Sequence, residues 1–322
     1  VYNQSTYDGD DDEVKNIINW YKDGTSISVL NMPFEGGSNS TWTKDYSGFG
    51  NNGSVTDATW NSTGGYDGFG AYDFDGDGDY IVTPTSVIPQ GANEKAITVW
   101  FNATTPDEEH VVVLCGDRSN GEAFLISVDN SNNIRYNCWG GGSNDNSFSY
   151  VGNFNEWHFA SFVYNGTHKL MYLDDTLLGI QEVTLTTGSG ACYIGQRGDS
   201  NNYFDGWVDD VKIYNQSLTH EQIAALYANR TDRIVSNETS IGDVWKACIT
   251  PNDGYEDGVE NCSNNLTVVL SANTLPTHTQ PILNSTSGTN YTSENLTVYN
   301  QSTYDGDDDS VKNIINWYKD DT

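Results

Sequence analysis

Short apolar runs, separated by clusters of glycine, asparagine, aspartate and serine, recur along most of the chain. They are rich in β-branched and aromatic side chains, which is typical of β-strands. Many short strands separated by turn residues indicate a β-sandwich, so we predict an all-β protein. The clearest runs are 96–104, 111–116, 123–129, 157–166, 169–175 and 191–196.

One turn and one helix have local signals of their own. Asn165-Gly166 lies between two strand-like runs and predicts a β-hairpin. A single short helix is predicted at 217–229, where Thr219 and Gln222 have the spacing of a capping box. Its apolar stripe consists of Ile223, Leu226 and Tyr227.

The last 25 residues repeat the first 25 with two changes, Glu13 to Ser310 and Gly24 to Asp321. A match of this length at a displacement of 297 residues is typical of a tandem array. The sequence starts without methionine and cuts the pattern at both ends, so we expect one period of a longer array. Recent duplication of one edge segment in an ordinary protein is the alternative.

The domain organisation follows from where the strand patterns stop and resume. The opening segment ends in a strand-like run, and a pair of strands within 243–270 resumes the pattern after the helix. A large insert in a small sandwich explains this arrangement. The predicted parts are residues 1–27 and 230–272 for the split sandwich, 28–229 for the insert, and 273–322 for the start of the next repeat.

The charge balance restricts the partners. With 14 Lys+Arg against 45 Asp+Glu, the net charge is −31, which argues against binding to phosphate backbones. We therefore expect no nucleic-acid partner. No stretch approaches the 18 apolar residues of a membrane span, so no membrane insertion is expected within this sequence.

Asn-X-Ser/Thr sequons are more frequent than the polar composition alone explains, which favours an extracellular, glycosylated surface. Polar loop composition is the alternative, and Asn102 lies inside a predicted strand. The twelve predicted glycosylation sites are Asn3, Asn39, Asn52, Asn61, Asn165, Asn215, Asn229, Asn237, Asn265, Asn284, Asn290 and Asn295. The remaining sequons are Asn102, Asn261 and Asn300.

The five cysteines fit an oxidising compartment. Cys248 and Cys262 bracket a turn-rich connection between two strand-like runs, so we predict a disulfide across this hairpin. Cys115, Cys138 and Cys192 form an odd set. One pair among them can bond, or all three can be buried thiols, and the sequence does not choose.

Several phrases of the insert resemble the laminin-G-like, concanavalin A-like jelly-roll family. Their order covers about 200 residues, and the last phrase, FDGWVDDVKIYNQSLTHEQIAALY, is the most specific. The others are LNMPFEGG, DYSGFGNNG, YDFDGDGDYI, ITVWF, WHFASFVYNG and YIGQR. The resemblance implies two antiparallel sheets packed face to face, sometimes with a structural Ca²⁺ or with a sugar or protein site on a concave face.

The flanking segments resemble an immunoglobulin-like or cadherin-like sandwich of microbial, in particular archaeal, surface proteins. The phrases that carry this resemblance are YDGDDDEVKNIINWYKDG and WKACITPNDG. Such domains occur in series along cell-surface or filament proteins, so the resemblance implies a tandem array.

Two acidic clusters are candidate calcium sites. Asp75, Asp77 and Asp79 alternate with other residues, so an extended strand would place three carboxylates on one side. The resemblance places Asp209 or Asp210 near the same edge, and clustered oxygens suit Ca²⁺. The family usually has two adjacent acids before the tyrosine of this phrase, whereas Gly78 and Asp79 stand here. A solvated acidic turn is the alternative.

The second cluster is the repeated DGDDD loop, in which Asp8, Asp10 and Asp12 are the candidate ligands of the opening copy. An EF-hand loop starting at Asp8 would need glycine at its sixth position and glutamate at its twelfth, but Glu13 and Asn19 stand there. A looser calcium site and a hydrated turn remain as the two interpretations.

Catalysis finds little support. No G-x-S-x-G motif occurs, and the adjacent acids Asp209 and Asp210 would point to opposite faces of a regular strand. The five histidines are far apart in sequence. We therefore predict that the protein is not an enzyme. Trp42 and Trp139 lie next to small polar residues and could stack on sugar rings, as could Trp60 and Trp207, although most sandwich tryptophans are core residues.

The prediction is a structural repeat unit of an extracellular glycosylated filament or cell-surface stalk. Its partner is another copy of itself, joined head to tail through shared or donated β-strands. We expect an apolar seam around Ile17, Ile18, Trp20 and Trp245 to transmit tension. The alternative is a Ca²⁺-dependent carbohydrate-binding adhesin module. Structural Ca²⁺ is the only cofactor considered, and glycans are the only other partner.

Overall fold

The structure is a computed structural model of the whole chain. It describes residues 6, 8, 9, 12–85, 87–119, 121–131, 133–138, 145–149, 154–199, 201–270, 275–305 and 310–319, with 145–149 as backbone. Residues 1–268 form one compact unit and residues 269–322 form a second.

The described residues are mostly β-strand, which confirms the predicted all-β fold class. In chain order the strands are β1 (Lys15–Lys22), β2 (Thr25–Ser26), β3 (Ser28–Met32), β4 (Trp42–Thr43), β5 (Gly53–Thr56), β6 (Thr59–Asn61), β7 (Ala71–Asp75), β8 (Tyr80–Val82), β9 (Lys95–Ala103), β10 (His110–Gly116), β11 (Ala123–Val128), β12 (Asn133–Asn137), β13 (Asp145–Ser149), β14 (His158–Tyr164), β15 (His168–Leu173), β16 (Thr176–Glu182), β17 (Cys192–Ile194), β18 (Asp205–Tyr214), β19 (Val244–Asn252), β20 (Asn261–Cys262), β21 (Leu266–Thr267), β22 (Thr277–His278), β23 (Ile282–Ser285), β24 (Leu296–Tyr299) and β25 (Thr303–Tyr304).

The predicted helix is present as α1 (His220–Tyr227). Thr219 caps it, because its hydroxyl accepts a hydrogen bond from the backbone N–H of Gln222 at 3.3 Å. A short 3-10 turn follows at Ser236–Glu238. Within the described residues, no helix has the length and apolar character needed to cross a membrane.

The insert is a sandwich of two eight-stranded sheets. One sheet has the order β13-β12-β11-β10-β17-β8-β5-β4, and the other has the order β16-β15-β14-β9-β18-β7-β6 with β3 also paired to β18. The predicted hairpin at Asn165-Gly166 joins β14 to β15, and Gly166 adopts the left-handed φ of 92° that its turn requires. Large side chains fill the space between the sheets, including Phe74, Phe101, Phe124, Phe162 and Phe204.

The two flanking segments meet in a third sheet of five strands, with the order β2-β1-β19-β20 and with β21 also paired to β19. Residues 1–27 and 230–272 are predicted to form one small sandwich that lacks its first strand, and their described strands form this single sheet. One reason is that the sheet shares a hydrophobic cluster with α1 and the outer side of the insert, which provides part of the packing that a second sheet would give. The division into domains stays a prediction.

Residues 275–319 contain two short ladders. β22 pairs with β25, and β23 pairs with β24 from Ile282 opposite Tyr299 to Ser285 opposite Leu296. Most apolar side chains of this segment are exposed. The unit therefore has strand pairing but little core of its own among its described residues.

Candidate functional site

β1, the strand of the opening copy of the repeat, pairs with β19 over its whole length, from Lys15 opposite Asn252 to Lys22 opposite Trp245. Successive side chains on a strand point to opposite faces, so the register defines two faces of this sheet. The asparagine face carries Ile17, Asn19, Cys248, Thr250 and Asn252, and the tryptophan face carries Ile18, Trp20, Trp245, Ala247, Ile249 and Pro251.

The asparagine face is hydrogen-bonded to the insert. The Asn252 side chain accepts from Gly36 N at 3.1 Å and donates to Gly36 O at 2.9 Å. Asn19 Nδ2 donates to Ser47 O at 2.8 Å. These buried amide contacts fix the sheet against the loops that follow β3, because each leaves a polar group unsatisfied if broken.

The tryptophan face carries the aromatic contact of the junction. Trp20 and Trp245 pack edge to face with ring centroids 6.3 Å apart, and Trp20 Nε1 donates to Thr231 O at 2.9 Å. Ile18 shares this face, but Ile17 points to the other one. The expected apolar seam is therefore divided between two faces, because the strand alternation separates adjacent isoleucines.

Lys15, at the start of β1, inserts its ammonium into a buried group of acids. It contacts Glu35, and its Nζ lies 2.6 Å from Asp67 Oδ2. Glu35 is fully buried and Asp67 is largely covered. We call Glu35, Asp67, Asp209 and Asp210 the acidic pocket. It receives one defined residue of β1, so it sets the register of the strand.

A β-bulge in β18 builds part of this pocket. The register against β9 shifts between Asp209 and Lys212, and Asp210 has a positive φ of 50°. The bulge breaks the strand alternation, so Asp209 and Asp210 are both buried and both raise the pKa of Lys15. The expectation that they point to opposite faces is therefore wrong for this segment.

The remaining contacts of the pocket are specific. Asp209 Oδ2 accepts from Tyr66 N at 3.2 Å, and Asp210 accepts from Lys212 Nζ at 2.5 and 2.7 Å. Among the described residues, Asp209 Oδ1 has no hydrogen-bond partner. Asp209 thus needs a nearby positive charge, which Lys15 supplies.

Glycine is required where the backbone supports Glu35. Gly70 N donates to Glu35 Oε2 at 2.9 Å, and a Cβ at Gly70 would lie 2.0 Å from Phe34 O. Any side chain there would push the loop away from Glu35.

Burial and charge act in opposite directions on the ionisable groups of the pocket. Burial lowers the pKa of Lys15, but the carboxylates of Glu35, Asp209, Asp210 and Asp67 outweigh it and hold that pKa well above its usual value. Burial raises the pKa of Glu35 to about 7 although Lys15 opposes the shift. Burial likewise raises the pKa of Asp209 well above its usual value.

We expect the Glu35→Gln variant to lose most of the pH dependence of stability between pH 5 and 8. The folded pKa of Glu35, about 7, lies above its unfolded value of 4.5, so the folded state binds the proton more tightly. The resulting stability is fully present below pH 4.5 and is lost as the pH rises through about 7. The loss is about 3 kcal/mol.

Urea unfolding at a series of pH values measures this slope, and the exposed Glu108→Gln substitution is the control. A slope that survives Glu35→Gln would contradict the assignment and leave Asp209 as its source.

The closing copy has the same sequence as β1 in a different state. Residues 312–319 repeat KNIINWYK without change, yet they form no strand and all are exposed. Ile314 is 87% exposed and Trp317 is 59% exposed. Each copy makes the same local hydrogen bond. Asn313 Nδ2 donates to Thr303 Oγ1 at 3.2 Å in the closing copy, and Asn16 Nδ2 donates to Thr6 Oγ1 at 3.3 Å in the opening copy.

The first candidate calcium cluster is a turn. β7 ends at Asp75 and β8 begins at Tyr80, so the extended strand expected through Asp79 is wrong. Asp79 Oδ2 accepts from Asp75 N at 3.0 Å, and Asp75 Oδ1 accepts from Asp77 N at 2.9 Å. The carboxylates therefore stabilise the turn backbone.

The structure brings this turn next to Asp205 of β18 but does not bring it together with the predicted partners Asp209 and Asp210. Asp205 is the residue opposite Asp75, and Asp209 lies four residues further along β18, which is about 13 Å. Asp209 and Asp210 instead contribute to the acidic pocket around Lys15.

The second candidate cluster lies partly outside the described residues. Asp10 lies outside them, as do three acids of the closing copy, Asp307, Asp308 and Asp309. Asp12 N donates to Asp8 Oδ1 at 3.4 Å. The predicted looser calcium site stays a prediction.

Two disulfides join strands that are direct neighbours. Cys248 is bonded to Cys262 across β19 and β20, and Cys115 is bonded to Cys192 across β10 and β17. Cys138 is buried and belongs to neither. Among the described residues, one group of three metal-type ligands converges, formed by Cys248, Glu260 and Cys262, and two of these are consumed by the disulfide.

The predicted glycosylation sites are mostly exposed. Asn3 lies outside the described residues, and Asn39 is half-buried because its Oδ1 accepts hydrogen bonds from Thr41 N and Trp42 N. The other ten predicted sites are exposed, while Asn102 in β9 is half-buried. Occupancy of the sequons stays a prediction.

The candidate sugar-stacking tryptophans are in different situations. Trp42 is 38% exposed at the edge strand β4, while Trp139 lies outside the described residues. Trp60 Nε1 donates to Phe34 O at 2.7 Å, and Gly64 lies directly against the ring of Trp207. The hydrogen bond therefore fixes the ring of Trp60, whereas the more exposed ring of Trp42 is available to stack on a sugar.

The sequence analysis missed Lys15, Glu35 and Asp67. One signal was available: Lys15 is among only 14 basic residues and starts an apolar strand. Its acidic partners could not be predicted, since they come from two loops and from β18, separated from Lys15 by 20 to 195 residues along the chain.

The insert matches a family model described as the concanavalin A-like lectin/glucanases superfamily, over residues 75–224. This segment is therefore similar to laminin-G-like domains. The match agrees with the two packed sheets and covers less than half of the chain. None of the curated proteins compared with the chain matches it.

Solved structures share the same fold. One crystal structure of the botulinum neurotoxin serotype G binding domain matches with a TM-score of 0.51 and 15% identity, covering 63% of this chain and 51% of that one. A second structure of the serotype G receptor binding domain gives a TM-score of 0.50 and 15% identity, covering 64% and 52%. The chain thus spans about half the length of these proteins, and at this identity the likeness concerns the fold alone.

Proposed function

We propose that the chain is a structural repeat unit of an extracellular, glycosylated filament or cell-surface stalk, with units joined head to tail through a shared or donated β-strand. One observation carries the proposal. The sequence KNIINWYK is the fully paired strand β1 at 15–22 and an exposed segment without strand structure at 312–319.

The identity of the two copies supports strand sharing because the closing copy can make the contacts of β1. Its backbone can pair with a β19 in the same register, Lys312 can enter an acidic pocket, and Trp317 can pack on a Trp245. A shift of one residue would turn Lys312 away from the acids, so the pocket favours one register.

Two routes lead to such a junction. In a continuous tandem chain, the closing copy becomes β1 of the next period. In separate subunits, it must displace a tethered β1 whose effective concentration is of the order of 1 mM. At a protein concentration of about 1 μM the difference is a thousandfold, or about 4 kcal/mol. Identical strands gain nothing by exchange, so separate subunits need an additional contact.

The extracellular setting is supported by the two disulfides and by the exposed sequons. The many acidic side chains keep single units soluble. The filament, the glycans and the absence of catalysis are all parts of the proposal.

The decisive test is a disulfide trap across the proposed junction. Ile18 lies directly opposite Ile249 in the β1–β19 pair, so Ile315 of a donated strand would occupy the same place. Full-length Ile315→Cys is mixed with full-length Ile249→Cys under mild oxidation, and non-reducing electrophoresis measures the linked dimer. We expect a linked dimer whose yield rises with protein concentration, because directly opposed residues are close enough to bond and oxidation traps the chains in which the closing copy has displaced β1.

Two controls sharpen the result. Ile18→Cys combined with Ile249→Cys in one chain should close within the monomer. Asn313→Cys mixed with Ile249→Cys tests a slipped register and should link much less. Equal linking in both registers, or none at Ile315, would count against strand sharing between subunits. A chain of two fused periods then tests the continuous route by the same Ile315–Ile249 pair.

The second candidate is a Ca²⁺-dependent carbohydrate-binding adhesin module. The match of residues 75–224 to a lectin-containing superfamily favours it, and the exposed ring of Trp42 offers a surface for a sugar. Neither calcium nor a glycan is assigned to a place in the fold. Chelator-sensitive binding to a glycan array would support this function.

A further inference from the structure

The tryptophan face of the five-stranded sheet carries a groove with a volume of about 1200 Å³. Trp20, Ala247, Ile249 and Pro251 lie along its floor. Val259 and Leu266 lie at its edge, where they are 79% and 60% exposed. An apolar sheet face normally packs on a second layer, and the cluster with α1 covers Trp245 but leaves Ile249 and Pro251 half-buried, so this part of the face is open to a docking partner.

The β23–β24 ladder, which precedes the closing copy in the chain, has an apolar face that could pack on this groove. In the β23–β24 ladder, Leu283 is opposite Val298 and Ser285 is opposite Leu296, so Leu283, Leu296 and Val298 share one face. Leu283 and Leu296 are each 57% exposed. A two-stranded ladder alone is marginal in water, and packing on another layer would stabilise it.

The chain connects this ladder directly to the donated strand. β24 ends at Tyr299, and Lys312 follows thirteen residues later, a span of at most about 45 Å. The hydrogen bond between Asn313 and Thr303 holds the two ends closer. A closing copy paired with β19 of another molecule would therefore keep its ladder within reach of the groove.

Charge also favours this occupant. Arg230 and Arg233 line the groove together with Asp232, which pairs with Arg230, so these side chains carry a net positive charge in a chain of net charge −31. Residues 275–305 contain no lysine or arginine and only two acids, Glu294 and Asp305. Two copies of this acidic chain repel each other over most of their surfaces, but repulsion is weak where the nearly uncharged segment 275–305 faces the arginines of the groove.

We propose that the groove binds the β23–β24 ladder of a second copy of this chain, so that the two copies complete one sandwich. The inference rests on the proposed function and supplies the contact that exchange of identical strands lacks. The ladder covers the floor of the groove while the closing copy pairs with β19.

The test is the self-association of full-length chains by sedimentation velocity over a range of concentrations. The groove variant is Val259→Asp with Leu266→Asp, and the ladder variant is Leu283→Asp with Leu296→Asp. Each should weaken association at least tenfold. The control is Ile180→Asp, because Ile180 is equally exposed on β16 of the insert and should change association less than twofold. Hydrogen exchange at low and high concentration gives a second readout, with protection expected to rise together in 259–266 and 282–299.

The outcomes separate the two proposals. If the Ile315–Ile249 trap links wild-type chains and the groove and ladder variants associate like wild type, the groove inference is overturned and strand sharing stands. If amide protection rises with concentration but the trap stays silent, strand sharing between subunits is overturned, and of the groove inference only the contact between ladder and groove stands. If the amides of 259–266 and 282–299 are protected to the same extent at low and high concentration, the ladder docks on the groove of its own chain, which overturns the proposal. If chains show neither association nor concentration-dependent amide protection, the groove inference and strand sharing between separate subunits are both overturned, and the fused two-period chain decides the continuous route.

Discussion

Replacing Trp20 with alanine is expected to lower the free energy of unfolding by about 3 kcal/mol, whereas the same substitution at Trp317 should change it by less than about 0.5 kcal/mol. Trp20 packs on Trp245 and donates a hydrogen bond to Thr231 O, so its removal leaves a cavity and an unsatisfied carbonyl. Trp317 is exposed and has no strand around it.

Urea unfolding followed by circular dichroism, at a concentration where chains are single, measures both variants. The pair is well matched because both residues lie in the same eight-residue sequence. Equal destabilisation by the two substitutions would contradict the difference between the two copies. Loss of the Ile315–Ile249 link in Trp317→Ala, with unchanged stability, would add support for strand sharing.

Removal of the Cys115–Cys192 disulfide should cost more stability than removal of Cys248–Cys262. The first closes a loop with a sequence separation of 77 and the second one of 14. Loop-closure entropy gives about 4.5 kcal/mol for the longer loop and about 3 kcal/mol for the shorter one. Both cysteines of the first pair are also fully buried between β10 and β17, while Cys262 is exposed.

The comparison uses the double variants Cys115→Ala with Cys192→Ala, and Cys248→Ala with Cys262→Ala. Alanine avoids placing a hydroxyl in the core. Thermal unfolding with and without reductant identifies the contribution of each bond, since a variant that lacks a bond no longer responds to its reduction. A larger loss from the shorter loop would show that strain or packing, and not loop closure, determines the effect.

Features that depend on neighbouring residues were predictable. The helix begins where Thr219 can cap it, and the hairpin turns at Asn165-Gly166, because both signals act over four or five residues. The alternation of apolar and turn residues gave the all-β class for the same reason. The family resemblance added the sandwich of the insert, which the match over residues 75–224 supports.

Features that depend on distant residues were not predictable. Alternation placed Asp209 and Asp210 on opposite faces, but a bulge against β9 buries both. The spacing of Asp75, Asp77 and Asp79 suits a strand as well as a turn, and the hydrogen bonds of the turn decided between them. The pairing of Cys115 with Cys192 required the neighbouring positions of β10 and β17.

The helix, the hairpin, the repeat and most strands can be predicted from the order of nearby residues, because their signals act over a few positions. The entry of Lys15 into a pocket of acids from two loops and a strand follows only from the packing of distant segments. The same holds for the two copies of KNIINWYK, one a strand and the other exposed. A strand has unpaired backbone groups on both edges, so its state depends on whether a partner such as β19 lies beside it.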